Sequence, residues 1–296
     1  ALAVVKEIMA WRDGGYSLSD IAVIYRTSLE PRLLVERLME YNVPFKTRDS
    51  LPNIYEHWIS KNILAYIRAA MGDLDRGTVL EFINRPKRYI SRDALETSPV
   101  SWEKVKSFYQ DKDWIAERVE QLEFDLSAIG RLKPAAAVNY IRKAVGYNDY
   151  LREYARFRRM KEEELLEVAD QLQESAAGFQ SFSDWFAHME EYGKELEAQA
   201  RTQTEPDPDR DGVALMTMHG SKGLEYRIVY IIDANEGITP HRKAVLEADL
   251  EEERRMFYVA MTRAKELLCI CSVKERYGKK QEPSRFIREY YGKESQ

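Results

Sequence analysis

The hydrophobic pattern gives the two ends of the chain strand-like runs. Ile21 to Tyr25 is a short apolar run rich in β-branched residues, which favours a buried parallel strand. A helical pattern opened by Pro31 follows it. Further strands and one helix are predicted near the other end: strands over Val213 to Met218, Arg227 to Asp233 and Leu267 to Val273, and a helix over Leu250 to Ala264. The ends therefore predict an α/β fold.

The middle of the chain, from about Ser91 to Thr204, carries helical spacing and no convincing strand. Helical stretches are predicted over 102–132, 134–147, 151–177 and 182–200. A polar linker rich in proline and aspartate, Thr204 to Gly212, comes next. We therefore predict an α/β domain formed by residues 1–90 and 205–296 and interrupted by an all-helical domain over residues 91–204.

Composition is that of a folded protein, because 44% of the 296 residues are hydrophobic and 32% are charged. No apolar run approaches the roughly 20 residues that span a bilayer, so no membrane segment is predicted. Cys269 and Cys271 are too close in sequence for an ordinary disulfide and too few for a zinc site. Two apolar thiols suit a reducing cytosol, and we predict a cytoplasmic location and no metal-binding residues.

The net charge of −5 argues against a wholly basic DNA-binding domain, yet positive charge is clustered. Each cluster taken alone is typical of a solvated helix face or loop. The three clusters are Arg85, Lys87, Arg88 and Arg92; Arg152, Arg156, Arg158, Arg159 and Lys161; and Lys274, Arg276, Lys279 and Lys280.

The sequence has no G-x-x-x-x-G-K-[ST] loop, the motif that would hold nucleotide phosphates. The segment Val213 to Tyr226 instead ends a predicted strand in polar side chains, and carboxyl ends of strands are where open α/β sheets bind ligands. An ordinary strand connection would not combine these residue types, which are Thr217, His219, Ser221, Lys222 and Glu225.

Two further segments carry candidate cations. The segment Glu251 to Lys265 opens with acidic residues that suit a helix N-terminus, and it ends with Arg263 at the start of a predicted strand. Tyr25 and Arg26 end the first strand, where a tyrosine face can stack on a purine and an arginine can grip phosphate.

Taken in order, these segments resemble motifs of the superfamily 1A DNA helicases of the UvrD/PcrA/Rep type. Ile21 to Thr27 resembles motif IV, Val213 to Tyr226 motif V and Glu251 to Ala264 motif VI. Two shorter segments, Asn84 to Arg88 and Gly237 to His241, also resemble that family. The resemblance implies a RecA-like parallel-sheet domain (2A) that is interrupted by a helical domain (2B).

The resemblance also implies roles for single residues. Tyr25 would stack on the adenine of ATP, Arg26 would contact the γ-phosphate, and Arg263 would be the second arginine finger. Glu225, beside the turn at Gly223, would bind the ribose. Three residues would face the backbone of single-stranded DNA: Thr217, His219 and Ser221.

The implied protein is an ATP-driven 3′→5′ single-strand translocase and helicase acting on single strands and single/double-strand junctions. ATP and Mg²⁺ would be held mainly by N-terminal 1A and 1B domains, which this chain is expected to lack, so that alone it would be inactive. A helicase–nuclease subunit of the AddA/RecB type and a non-catalytic DNA- or partner-binding module stay open. The joint presence of Arg26, Glu225 and Arg263 counts against the last.

Overall fold

The computed structural model describes residues 1–28, 30–204 and 211–291. The chain divides into two compact units. We call them the sheet unit, formed by residues 1–52 and 192–296, and the helical unit, formed by residues 53–191. The predicted linker falls mostly outside the described residues.

A five-stranded parallel sheet organises the sheet unit, with strand order β2-β3-β1-β4-β5. The strands are β1 (Ile21–Tyr25), β2 (Phe45–Thr47), β3 (Val213–Thr217), β4 (Tyr226–Ile231) and β5 (Ala264–Ile270). All five residues of β1 are buried, as a central parallel strand requires. The predicted strands are confirmed, whereas the short edge strand β2 was not predicted.

Helices flank this sheet. They are α1 (Leu2–Asp13) and α2 (Arg32–Glu40) before the helical unit and α11 (Glu247–Met261) and α12 (Arg285–Tyr290) after it. A short hairpin joins β6 (Glu275–Arg276) to β7 (Lys279–Lys280). The core between α11 and the sheet includes Ile24, Met216, Val229, Ile231 and Phe257, all nearly inaccessible. This packing fixes α11 against β4 and β5.

The middle of the chain is helical, as predicted, and residues 91–204 contain no strand. The helices are α3 (Trp58–Ala70), α4 (Arg76–Phe82), α5 (Trp102–Phe108), α6 (Asp113–Ile129), α7 (Pro134–Lys143), α8 (Tyr147–Arg158), α9 (Glu162–Ser175) and α10 (Phe182–Thr204). Two predicted long helices are each divided. A turn separates α5 from α6, and Arg159 ends α8 in the left-handed region with φ 55°.

Among the described residues, no helix combines the length and the apolar character that crossing a membrane requires.

Candidate functional site

The carboxyl ends of the parallel strands form one edge of the sheet, and Tyr25 lies there at the end of β1. Its ring has no exposed surface, and its hydroxyl has no hydrogen-bond partner among the residues that the structure describes. Burial, reinforced by the carboxylates of Asp49 and Glu30, raises the pKa of Tyr25 far above its usual range. An adenine could therefore stack on this ring only after the neighbouring side chains move.

Arg26 follows Tyr25 and binds Glu253 of α11. Its Nε donates to both carboxylate oxygens, at 3.1 and 2.9 Å, and a terminal nitrogen donates to Oε1 at 2.5 Å. The backbone amide of His241 donates to the same carboxylate at 3.0 Å. Burial raises the pKa of Glu253, but these hydrogen bonds outweigh it and hold that pKa below its ordinary value. Arg26 is thus committed to an internal ion pair.

The predicted DNA-facing residues start at the carboxyl end of β3. The backbone amide of Thr217 donates to the Asp49 carboxylate at 2.7 Å, and the Thr217 hydroxyl accepts the Gly220 amide at 3.0 Å. His219 is exposed, as a DNA contact requires. Ser221 is fully buried and donates its hydroxyl to the carbonyl of Met218 at 2.7 Å. The Ser221 hydroxyl therefore holds the turn together and does not face solvent.

The amino ends of the strands form the opposite edge, where the structure brings Gly223, Glu225 and Arg263 together. Gly223 has φ 82°, a conformation that L side chains rarely adopt, so the turn before β4 favours glycine. Arg263 donates to the carbonyls of Leu224 and Val259, each at 2.9 Å. Glu225 is exposed and forms a 3.3 Å ion pair with Lys265. This edge therefore presents a guanidinium, an ammonium and a carboxylate.

The two predicted phosphate-binding arginines do not form one cluster. Ile21 aligns with Ile228, and Tyr226 aligns with Ala264, so Arg26 follows one end of the strands whereas Arg263 precedes the other. In this register Arg26 lies roughly eight residue positions further along the strand direction than Arg263. At about 3.3 Å per residue, the two backbones are more than about 20 Å apart. One γ-phosphate cannot contact both side chains in this arrangement. The order of residues along the chain already indicated this separation, because Arg26 follows its strand and Arg263 precedes its own.

Two segments cross from one edge of the sheet to the other. Residues 218–225 connect β3 to β4 past β1, which lies between them in the sheet. They start beside Tyr25, where the Met218 amide donates to the Tyr25 carbonyl, and they end at Glu225. Helix α11 also crosses, with Glu253 bound to Arg26 near its middle and Arg263 just after its end. Both segments thus link the edge that holds Thr217 and His219 to the edge that holds Glu225 and Arg263.

Asp49 and Glu253 are positioning groups that the sequence did not reveal. Asp49 follows the unpredicted strand β2, so nothing in the local sequence placed it beside Thr217. Glu253 was explained as one of three acidic residues near a helix N-terminus. Its spacing of three, four and seven residues from the apolar Met256, Phe257 and Ala260 was the available sign that it faces inward.

The described residues hold no cluster of three or more His, Cys, Asp or Glu side chains suited to a metal ion. The site is therefore an arrangement of cations and polar groups on two linked edges of a parallel sheet, which is interrupted in sequence by helices. This architecture is that of an α/β domain with a helical insertion. The chain belongs to the family of UvrD-like helicase C-terminal domains, whose model matches residues 1–275.

Known relatives agree with this assignment. The chain is 30% identical to YjcD of Bacillus subtilis (strain 168), over 97% of this chain and 38% of the relative. It is 29% identical to the ATP-dependent DNA helicase PcrA of Staphylococcus epidermidis and 28% identical to PcrA of Staphylococcus aureus, in each case over 97% of this chain and 41% of the relative. The chain thus spans about two fifths of the length of these relatives.

Proposed function

We propose that this chain is the second motor half of an ATP-driven helicase that translocates 3′→5′ along single-stranded DNA. The relatives named ATP-dependent DNA helicase support ATP and DNA as ligands. The observation that carries the proposal is the eight-residue connection 218–225, which joins exposed His219 at one edge to Glu225 at the other. In this proposal, nucleotide-dependent movement at Glu225 and Arg263 is passed to a DNA contact at Thr217 and His219.

The amino-edge residues suit a nucleotide in their chemistry. Arg263 offers a cation to the γ-phosphate, and the exposed Glu225 offers an acceptor to a ribose hydroxyl. ATP supplies the phosphoryl group whose transfer leaves charge on the γ-phosphate oxygens, and an arginine finger contributes about 10³ to 10⁵ in rate. We expect the phosphate loop and Mg²⁺ site to be provided by a 1A domain of the same protein.

Arg263 has a second role in this proposal. Its guanidinium holds the Leu224 carbonyl, so a guanidinium that turns towards phosphate would release that carbonyl and the connection that contains it. ATP binding and hydrolysis would then alternately free and fix residues 218–225. Such a two-state element is what couples two sites in a motor.

The test is ATP hydrolysis by the protein that joins this chain to its phosphate-loop domain, with and without single-stranded DNA. We expect DNA-stimulated turnover that falls by at least about 10³ in Arg263→Ala. The predicted γ-phosphate contact of Arg26 is tested beside it. If Arg26→Ala loses turnover equally while remaining folded and Glu253→Ala does not, Arg26 also acts on the phosphate and the two edges move closer together when ATP binds. If a folded wild type shows no turnover, the motor proposal is wrong and a binding module replaces it.

A further inference from the structure

One face of α8 in the helical unit carries a row of aromatic rings. The ring centroids of Tyr150 and Tyr154 are 6.2 Å apart, and that of Tyr154 is 5.0 Å from Trp58 of α3. Residues four apart in a helix lie on the same face, so α8 itself sets this spacing. The guanidinium of Arg158 continues the row, 5.7 Å from the Tyr154 centroid. All three rings are only partly buried, so each keeps surface that a ligand can contact.

The row leads into an exposed basic turn, which we define as residues 156–161. Every residue of this turn is exposed. Phe157 is 82% exposed, more than any other large hydrophobic side chain among the described residues. In the described part of the chain, the side chains of Arg156, Arg159 and Lys161 form no ion pair, whereas Arg152 one turn earlier binds Asp149 at 2.6 Å. The basic turn therefore presents unpaired cations around a solvent-exposed ring.

Neither the exposed ring of Phe157 nor the unpaired cations of the basic turn stabilise the helical unit. An exposed phenylalanine gains almost none of the apolar burial that stabilises a fold. Unpaired surface cations close together repel one another and lower stability slightly. The nearby acidic residues Glu162, Glu163 and Glu164 open α9, where carboxylates stabilise the helix N-terminus. A ligand with negative charge and flat apolar faces would satisfy both the rings and the arginines.

We propose that the aromatic face of α8 and the basic turn form a binding site for single-stranded nucleic acid. Unpaired bases would stack on Phe157, Tyr154 and Tyr150, and Arg158, which lies on the same face of α8, would contact a phosphate. A duplex keeps its base faces inside the stack, so a row of rings favours a single strand. This site lies outside the three helicase motifs, and it goes beyond the proposed motor function because it requires neither ATP nor Arg263.

The first test is fluorescence anisotropy of the 296-residue chain with a labelled oligo-dT of 20 nucleotides at low salt. We expect Phe157→Ala to weaken binding about tenfold, as for loss of one stacked base. The matched control is Phe124→Ala, which removes another exposed phenylalanine, 64% accessible, from α6 of the same unit. Binding by Phe157→Ala that equals the wild type would overturn the proposal, as would equal binding of a 20-base-pair duplex.

Charge is tested in the same assay across a salt series. Arg158→Glu should weaken binding and reduce the slope of log affinity against log salt by about 0.7, the contribution of one phosphate contact on a single strand. Arg131→Glu makes the same charge change at another exposed arginine of the helical unit and should leave the slope unchanged. Equal slopes for the two variants, or equal competition by polyglutamate and oligo-dT, would overturn the proposal.

Photo-crosslinking to oligo-dT containing 5-iodouracil separates this site from the motor contacts. We expect crosslinks within residues 147–161 that disappear on addition of excess unlabelled oligo-dT. Crosslinks confined to residues 213–226 would overturn the α8 site while supporting the DNA contact of the proposed motor. Crosslinks within 147–161 together with absent ATP hydrolysis in the longer protein would support the α8 site and reject the motor.

Discussion

Glu253 holds the Arg26 guanidinium through three hydrogen bonds and also accepts the amide of His241. Only 7% of the Glu253 side chain and 18% of the Arg26 side chain are exposed. The pair joins the end of the central strand β1 to α11. It therefore fixes the helix that leads to Arg263 against the edge that carries the predicted DNA contacts.

Replacing Glu253 should be costly, because it leaves a largely buried guanidinium without its partner. We expect Glu253→Ala to lower the free energy of unfolding by about 3 kcal/mol. Glu252→Ala is the matched control, since Glu252 pairs with Arg255 at a position where both side chains are more than half exposed, and it should cost less than about 1 kcal/mol. Urea unfolding measures both, and similar losses in the two variants would contradict the buried-pair interpretation.

Substitution of Ser221 should affect stability, whereas substitution of His219 should affect binding of single-stranded DNA. Ser221→Ala removes a buried hydrogen bond to the Met218 carbonyl, so we expect it to lower the free energy of unfolding by about 1 kcal/mol. His219→Ala alters an exposed side chain and should change stability by less than about 0.5 kcal/mol while weakening single-strand binding. The prediction fails if Ser221→Ala is fully stable yet loses DNA affinity.

Glu225 should affect nucleotide binding without affecting stability. Its ion pair with Lys265 joins side chains that are 58% and 54% exposed, and such pairs contribute little. In the protein with its phosphate loop, Glu225→Ala should raise the KM for ATP about 5- to 10-fold through loss of one hydrogen bond. Lys265→Ala breaks the same ion pair and keeps the carboxylate, so it should leave that KM unchanged. Equal increases in both variants would assign the effect to the ion pair.

Glu30, close to the end of β1, makes stability depend on pH. Burial raises the pKa of Glu30 to about 7, although its carboxylate accepts the amide and hydroxyl of Thr27. Asp233 raises this pKa further, and Arg276 lowers it. Because the folded state binds the proton more tightly than the unfolded state, stability is retained below pH 4.5 and falls as the pH rises towards 7.

Glu30→Gln tests this dependence. Between pH 5 and pH 8 the free energy of unfolding of the wild type should fall by up to about 3 kcal/mol. It should fall by less in the variant, which carries no charge at this position. Urea unfolding at four pH values measures the difference, with Glu40→Gln as control at a glutamate that is 54% exposed. Parallel pH curves for wild type and Glu30→Gln would exclude Glu30 as the titrating group.

The strands that were predicted from the sequence are those formed by long, continuous runs of apolar residues. Ile21 to Ile24 is an unbroken apolar run, and both neighbours of β1 are similarly apolar. Strand β2 has only three residues, one of them Lys46, and its partner β3 lies far along the chain. Its formation depends on a pairing that no local pattern records, so it was missed.

The site was predicted in part for a similar reason. The sequence grouped Thr217 to Glu225 as one segment, and it is one segment in the structure. It placed Arg26 and Arg263 at sheet edges without distinguishing the two edges, although in a parallel sheet a residue that follows its strand and one that precedes its strand lie at opposite edges. Burial of Tyr25 depends on neighbours from distant segments, such as Asp49, and no single-residue argument includes them.

The central strand also has a consequence for the timing of folding. In the described part of the chain β1 bonds only to β3 and β4, so Ala22 cannot form its strand pairs before Ala214 and Val229 have been synthesised. The helical unit, residues 53–191, emerges from the ribosome during that interval and has its own internal core to form. Until the last third of the chain appears, both edges of β1 remain open to pairing with other chains. The nascent protein is therefore most vulnerable to aggregation while the helices of the helical unit are already complete.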